Sequence, residues 1–126
     1  MRIYKNAWFA KFARKERISD AALCEAVDRA ARGSIDADLG GGLIKQRVAR
    51  SGEGKSGGYR TLIFFRQADR AIFAFGFAKS DKANLSDTEL VVYRNLAKIA
   101  LSLSQREIEL EIQTQKLLEV NRDEGI

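Results

Sequence analysis

The chain contains no histidine, no proline and one cysteine, Cys24, in 126 residues. Without histidine, every mechanism that depends on it is excluded: Ser–His–Asp triads, Cys–His dyads, histidine-ligated zinc and the two-histidine scheme of RNA cleavage. A single cysteine excludes an internal disulfide and any cysteine zinc cluster. No run of about 18 apolar residues is present, so no membrane-spanning helix is expected. The basic N-terminus, MRIYKNAWFAKFARK, lacks the continuous apolar stretch of a secretory signal, and a cytoplasmic location is expected. Any acid–base chemistry falls to lysine, arginine, tyrosine or carboxylates. The absence of proline carries no functional meaning.

What is present is ordinary for a soluble globular protein: 45% hydrophobic and 31% charged residues. The length suits one domain over residues 1–126 with one modest core. The net charge is +5, unevenly spread. Residues 1–82 carry 17 basic and 9 acidic side chains, and residues 83–126 carry 5 and 8. Within 43–82 there are 9 basic and 3 acidic residues. A basic segment followed by an acidic one points to a polyanionic partner for the first, or to a merely solvated basic surface.

The hydrophobic pattern predicts an α+β fold. Arg2–Lys5 reads as a short strand. Asn6 caps a helix that carries Trp8, Phe9 and Phe12 and closes at Ile18. Ser19 caps a second helix with Leu23, Ala26, Val27 and Ala30 on one stripe, stopped by Gly33, and the two form a hairpin. Cys24 lies beside that stripe and reads as structural. Residues 34–42 read as a loop. Leu43–Ala49 alternates as a strand, with Ile44 and Val48 on one face and Lys45 and Arg47 on the other. Ser51–Gly58 reads as a glycine-rich loop, Tyr59–Phe65 as a central strand and Ala71–Lys79 as a third, with Phe73, Phe75 and Phe77 sharing a face. These three strands most simply form an antiparallel meander. Ser86 with Glu89 forms a capping box, with Leu85 and Leu90 as its hydrophobic staple, and the device repeats from Leu103. Lys116–Val120 reads as a short strand. The expected order is β-α-α-β-β-β-α plus a C-terminal tail, with helices on one face of a small antiparallel sheet.

Gly54-Lys55-Ser56 imitates a phosphate-binding loop. The full pattern needs a further glycine at position 49, which is Ala49, and must open a helix, whereas Gly57-Gly58 and a strand follow. The basic residues offer a better reading. Lys45 and Arg47 share a strand face, Arg60 starts the next strand, Lys79 ends the third and Lys55 rides the intervening loop. In a meander these converge on one face, where mutual repulsion is relieved by a bound anion. The bland alternative is long side chains solvating an exposed sheet. Such a cluster can hold the charge that gathers on phosphoryl oxygens when an RNA 2′-hydroxyl attacks its own phosphate. A lysine crowded by other cations can exchange protons. The same face can instead hold an RNA backbone without chemistry, and Tyr59 or Phe77 could stack on a base. Strict alternation puts Lys79 on the phenylalanine face; a bulge at Gly76, or a strand ending earlier, resolves that tension.

The stretch Gly41–Ala49, then Gly54-Lys55-Ser56-Gly57-Gly58-Tyr59-Arg60, then Phe77-Ala78-Lys79 resembles the RelE/ParE superfamily of type II toxin–antitoxin toxins, in particular its HigB-like branch. The motifs span about residues 41–85, and the element order agrees over most of the chain. The resemblance implies a single RelE-like toxin domain with a C-terminal extension from about 104 to 126. It implies a cytoplasmic, ribosome-dependent mRNA endoribonuclease that leaves a 2′,3′-cyclic phosphate and uses no metal or other cofactor. The implied partners are mRNA, the ribosome and a cognate antitoxin, whose complex with the toxin can bind operator DNA. Lys45, Arg47, Arg60 and Lys79 fall on the family's catalytic basic positions, with Arg50, Lys55, Tyr59 and Lys82 as RNA-binding residues. Some relatives place a tyrosine shortly after the last strand. Here Asn84, Leu85 and Ser86 occupy that region and the next tyrosine is Tyr93, within a helix. Ser80 stands where an arginine is often found. The alternatives are a ParE-like toxin that inhibits DNA gyrase without cleaving nucleic acid, and a non-catalytic RNA-binding module. The acidic extension either covers part of the basic face or adds to the core, and its apolar Ile108, Ile112, Leu117 and Val120 favour packing.

Overall fold

Asn6 ends β1 (Arg2–Asn6) and starts α1 (Ala7–Glu16), because its side-chain oxygen accepts the Phe9 amide at 2.8 Å. The computed structural model describes residues 1–50, 54–78 and 85–122, with the backbone alone at 54–57. Arg17, left-handed at φ 58°, closes α1, and Ser19 caps α2 (Asp20–Ala31). After β2 (Ala37–Gly40), β3 (Leu43–Arg50), β4 (Gly54–Arg66) and β5 (Arg70–Ala78) come α3 (Asp87–Ser102), α4 (Gln105–Gln113) and β6 (Leu117–Glu119). Ser86 with Glu89 and Ser104 with Glu107 form complete capping boxes at the starts of α3 and α4.

The sheet order is β2-β3-β4-β5-β1-β6. β3, β4 and β5 form the expected antiparallel meander, β1 runs parallel to β5, and β6 pairs antiparallel with β1. The C-terminal segment therefore completes the sheet, with Ile108, Leu117 and Val120 buried.

Four details differ from the sequence reading. Residues 34–42 contain the edge strand β2, whose short polar sequence hides its pairing with β3; Gly40, Gly41 and Gly42, all at positive φ, make the turn between them. The strand β4 begins at Gly54 and not at Tyr59, so the stretch that imitates a phosphate loop is extended backbone leading into no helix.

The helices cover both faces and not one. Phe9, Leu23, Val27, Ile44, Val48, Ile63 and Phe73 form a core between the sheet and α1/α2. Tyr4, Leu43, Leu62, Phe64, Ile72, Ala97 and Ile108 form a second between the sheet and α3/α4. Strands buried on both sides lose the clean polar alternation that a one-sided sheet shows.

Finally, the three phenylalanines of β5 do not share a face. The register passes from Leu62↔Phe75 to Ile63↔Phe73, so Ala74 is an extra residue in a β-bulge. The shift leaves Phe73 with α1/α2 and turns Phe75 towards the α3 side. Asn6 holds this bulge: its side-chain amide donates to the Ala74 carbonyl at 3.1 Å. The irregularity thus lies at Ala74 and not at Gly76.

Candidate phosphate-binding face

Alternation along β3 sends Ile44, Gln46 and Val48 towards α1/α2, and Leu43, Lys45 and Arg47 towards the α3 side. On β4, Tyr59 and Ile63 face α1/α2, while Arg60 and Leu62 face the other way. The register is Lys45↔Leu62, Arg47↔Arg60 and Arg60↔Phe77. Arg47, Arg60 and Phe77 therefore form one row across three strands, with Lys45 two residues along. Directly opposed side chains in such a ladder have Cβ atoms about 5 Å apart. The convergence expected of Lys45, Arg47 and Arg60 is present.

The two arginines of the row differ in their surroundings. Asp36 accepts the Arg47 backbone amide at 2.7 Å and its guanidinium at 3.1 Å. Arg29, buried in α2, stands 3.8 Å from the same carboxylate, donates to the Arg47 carbonyl and bonds Glu25 at 2.7 Å. Burial alone raises the Asp36 carboxyl, but the hydrogen bonds from Arg47 and the charges of Arg47 and Arg29 outweigh it and hold the pKa below the ordinary value. Gln46, fully buried, ties this corner together: its amide donates to Ala26 and Ser34 carbonyls at 3.0 Å and accepts the Asp36 amide at 2.9 Å. Among the described residues Arg60 has no such network. Its Nη1 is buried with no hydrogen-bond partner among the described residues. A desolvated guanidinium nitrogen without an acceptor is costly, and an anionic oxygen removes that cost.

The depressed Asp36 pKa makes a stability prediction. The charged form is favoured in the folded state, so its contribution is complete above about pH 4 and is lost as pH falls through the lower folded value. Asp36→Asn should flatten the fall in Tm below about pH 4 relative to the parent. An unchanged acid limb would show that the Asp36–Arg47 contact contributes no net stability.

The other expected site residues separate. Tyr59 lies on the opposite face, 2% exposed, donating its hydroxyl to Glu16 at 2.9 Å and meeting Phe12 edge-on at 5.6 Å. Its ring is core and is not presented beside Arg60. The register shift between Val48 and Arg50 turns Arg50 over the Tyr59 ring, 5.6 Å from its centroid, again away from the row. The Lys55 side chain, Lys79 and Lys82 lie outside the described residues.

The row continues into an aromatic chain. The Phe77 and Phe75 centroids are 6.1 Å apart, and Phe75 lies 5.8 Å from Tyr93 on α3 and 4.5 Å from Trp8. A tyrosine thus does stand on this side of the sheet, delivered by a helix. Burial, with a smaller contribution from Glu89, raises its pKa, so the phenol stays protonated. Sequence reasoning missed Asp36, Arg29 and Gln46. Asp36 sits in a segment read as loop, and no spacing marks its contact with a strand ten residues on.

The protein is thus a small α+β protein: a mostly antiparallel sheet flanked by helices, with a basic row on one face. A family model described as the RelE toxin of the RelE/RelB toxin–antitoxin system matches residues 1–120. The chain belongs to the RelE toxin family of toxin–antitoxin systems, whose members pair with an antitoxin. The match is to the family as a whole; the HigB-like branch rests on the sequence resemblance alone. Comparison with curated protein sequences and with solved structures gave no match. Among the described residues no helix is long and apolar enough to cross a membrane.

Proposed function

We propose that this toxin is a ribosome-dependent mRNA endoribonuclease acting through the Arg47–Arg60 row. The observation that carries the reading is the buried Arg60 Nη1, without a hydrogen-bond partner among the described residues, in register between Arg47 and Phe77. In the proposed reaction the RNA 2′-oxygen attacks the adjacent phosphorus and the bond to the 5′-oxygen breaks. The products are a 2′,3′-cyclic phosphate and a 5′-hydroxyl. Negative charge accumulates on the non-bridging oxygens, and Arg60 and Arg47 hold it by contacts that need no rearrangement. Asp36, on the β2 side of β3, holds the Arg47 guanidinium by a hydrogen bond of 3.1 Å. The Lys45 ammonium supplies the proton that the departing 5′-oxygen takes up, while the 2′-hydroxyl proton passes to solvent. Lys79 is proposed to complete the basic set, with Lys55 and Lys82 holding RNA outside the scissile phosphate. The cytoplasmic location and the ribosomal partner rest on family membership and on the basic charge of residues 43–82.

The test is incubation of the purified chain with ribosomes programmed with a short mRNA, followed by analysis of the new ends. Cleavage with 2′,3′-cyclic phosphate ends supports the reading. Intact mRNA together with loss of gyrase supercoiling activity would assign the ParE-like alternative.

A further inference from the structure

Of the two aromatic residues that the sequence offers for stacking on a base, Tyr59 is core and Phe77 is buried. Among the described residues the one exposed aromatic side chain is Trp8, at 46%, in the first turn of α1. Its ring is stacked on Phe12, with 5.3 Å between centroids and 15° between planes, and lies 4.5 Å from Phe75. A ring already held by two neighbours loses little freedom when a further ring docks on its open surface. Two cations follow on the same side of the helix. At about 100° per residue Trp8, Lys11 and Lys15 fall within a stripe about 60° wide, and both lysines are exposed. Neither forms an ion pair among the described residues. Glu16, the only acidic residue of α1, accepts the Tyr59 hydroxyl instead. At its other end the stripe reaches the arginine row through Phe75 and Phe77, since Phe77 stands opposite Arg60 in the ladder. An aromatic run thus has arginines at one end and unpaired lysines at the other.

We propose that Trp8 is a base-stacking subsite for single-stranded RNA. The strand whose phosphate lies at the Arg47–Arg60 row places a neighbouring base on the Trp8 ring, and its backbone continues along Lys11 and Lys15. The choice of RNA rests on the ribonuclease function proposed for that row. The chemistry of the stripe agrees with it. An unpaired nucleotide brings a flat π-face for the indole and a phosphate for the lysines in one repeating unit. An apolar peptide segment supplies no charge for the lysines, and a free anion supplies no ring. Every base has a π-face, so the subsite adds affinity and fixes the path of the strand without demanding one sequence. The lysines act on the backbone and make that affinity depend on salt.

Trp8 is the only tryptophan of the chain, so its emission reports the subsite directly. The probe is an end-labelled single-stranded 2′-O-methyl RNA of about 10 nucleotides, which lacks the attacking hydroxyl and stays intact. Its titration into the full chain is expected to quench Trp8 emission. An abasic strand of equal length keeps the phosphates and lacks the rings. It is expected to bind about 10-fold or more weakly and to leave the emission unchanged. Trp8→Leu keeps apolar packing on Phe12 and Phe75 without a π-face, and should weaken the 2′-O-methyl strand by about 10-fold or more, whereas Trp8→Phe should retain most of the affinity. Replacing Lys11 and Lys15 together by glutamine should reduce the slope of log affinity against log salt by about 1.4. Unchanged Trp8 emission at the highest strand concentration would overturn the proposal and leave the ring to a protein partner. Equal affinity for the abasic and base-bearing strands, or parental affinity in Trp8→Leu, would also overturn it. Cleavage by the parent on programmed ribosomes is scored separately. Cleavage without quenching removes the Trp8 subsite and keeps the nuclease, and quenching without cleavage keeps the subsite and removes the nuclease.

Discussion

Arg60→Ala is expected to lower RNA cleavage by about 100- to 1,000-fold, about 2.7–4 kcal/mol of transition-state stabilisation, without lowering the melting temperature. The two halves of that expectation have one cause. In the folded protein the Arg60 Nη1 is buried and lacks an acceptor among the described residues, so its removal takes away a desolvation cost rather than a favourable bond. In the proposed reaction the same nitrogen would face a phosphoryl oxygen whose negative charge is growing. Arg60→Lys should rescue poorly, because an ammonium cannot present the planar fork that spans two phosphate oxygens. Rate measurements on programmed ribosomes, paired with thermal melts, separate the outcomes. A variant that loses activity and stability together would make Arg60 a structural residue.

The second large effect is expected at Gly58. A Cβ there would lie 2.1 Å from the Val48 carbonyl oxygen and 3.0 Å from the Arg50 nitrogen, both backbone atoms of the neighbouring strand. This is where the β3–β4 register shifts, between Val48 and Arg50, so the strands approach more closely than a regular ladder allows. Neither atom can swing aside as a side-chain tip would. Gly58→Ala should force β3 and β4 apart at the point that sets Arg47 beside Arg60, and cost about 3 kcal/mol or more. Denaturant unfolding reads the loss directly. A variant within about 0.5 kcal/mol of the parent would show that the close approach is not needed for the fold. Cleavage should fall further than stability alone explains, because the arginine row depends on this register.

These two residues show what could be seen in the sequence. Gly58, Tyr59 and Arg60 stood out as a motif, and the alternation of Lys45 and Arg47 placed both on one strand face. Their convergence with Arg60 followed from the meander. Caps were equally legible, because Asn6, Ser19, Ser86 and Ser104 act through bonds only three residues long. Long-range facts were not. The bulge at Ala74 depends on a contact with Asn6, 68 residues away, and without it the alternation of Phe73, Phe75 and Phe77 reads as one face. Helices on both faces were hidden for a related reason: strands covered on two sides are apolar throughout, and only the tertiary fold divides them. Charge counting also overstated the basic surface. Arg70 donates to the Ala100 and Leu103 carbonyls at 3.1 and 2.8 Å, and Arg66 bonds the Leu101 carbonyl and Asp69. These two satisfy the end of α3 and do not extend the basic row of Arg47 and Arg60.

The division of labour within the row follows from its neighbours. Arg47 is paired with Asp36, whereas the Arg60 Nη1 has no hydrogen-bond partner among the described residues. Phe77, opposite Arg60 in the ladder, and its neighbour Phe75 give the row an apolar border. A low local dielectric strengthens every charge contact made there.

The most direct test of the proposed activity is brief induced expression in bacteria with mapping of new mRNA 5′ ends, using Arg60→Ala as the control. Cuts within translated codons, in frame with the ribosome, are expected in the parent culture and are expected to disappear in the Arg60→Ala culture. Growth arrest with intact mRNA, or the same cuts in both cultures, would contradict it.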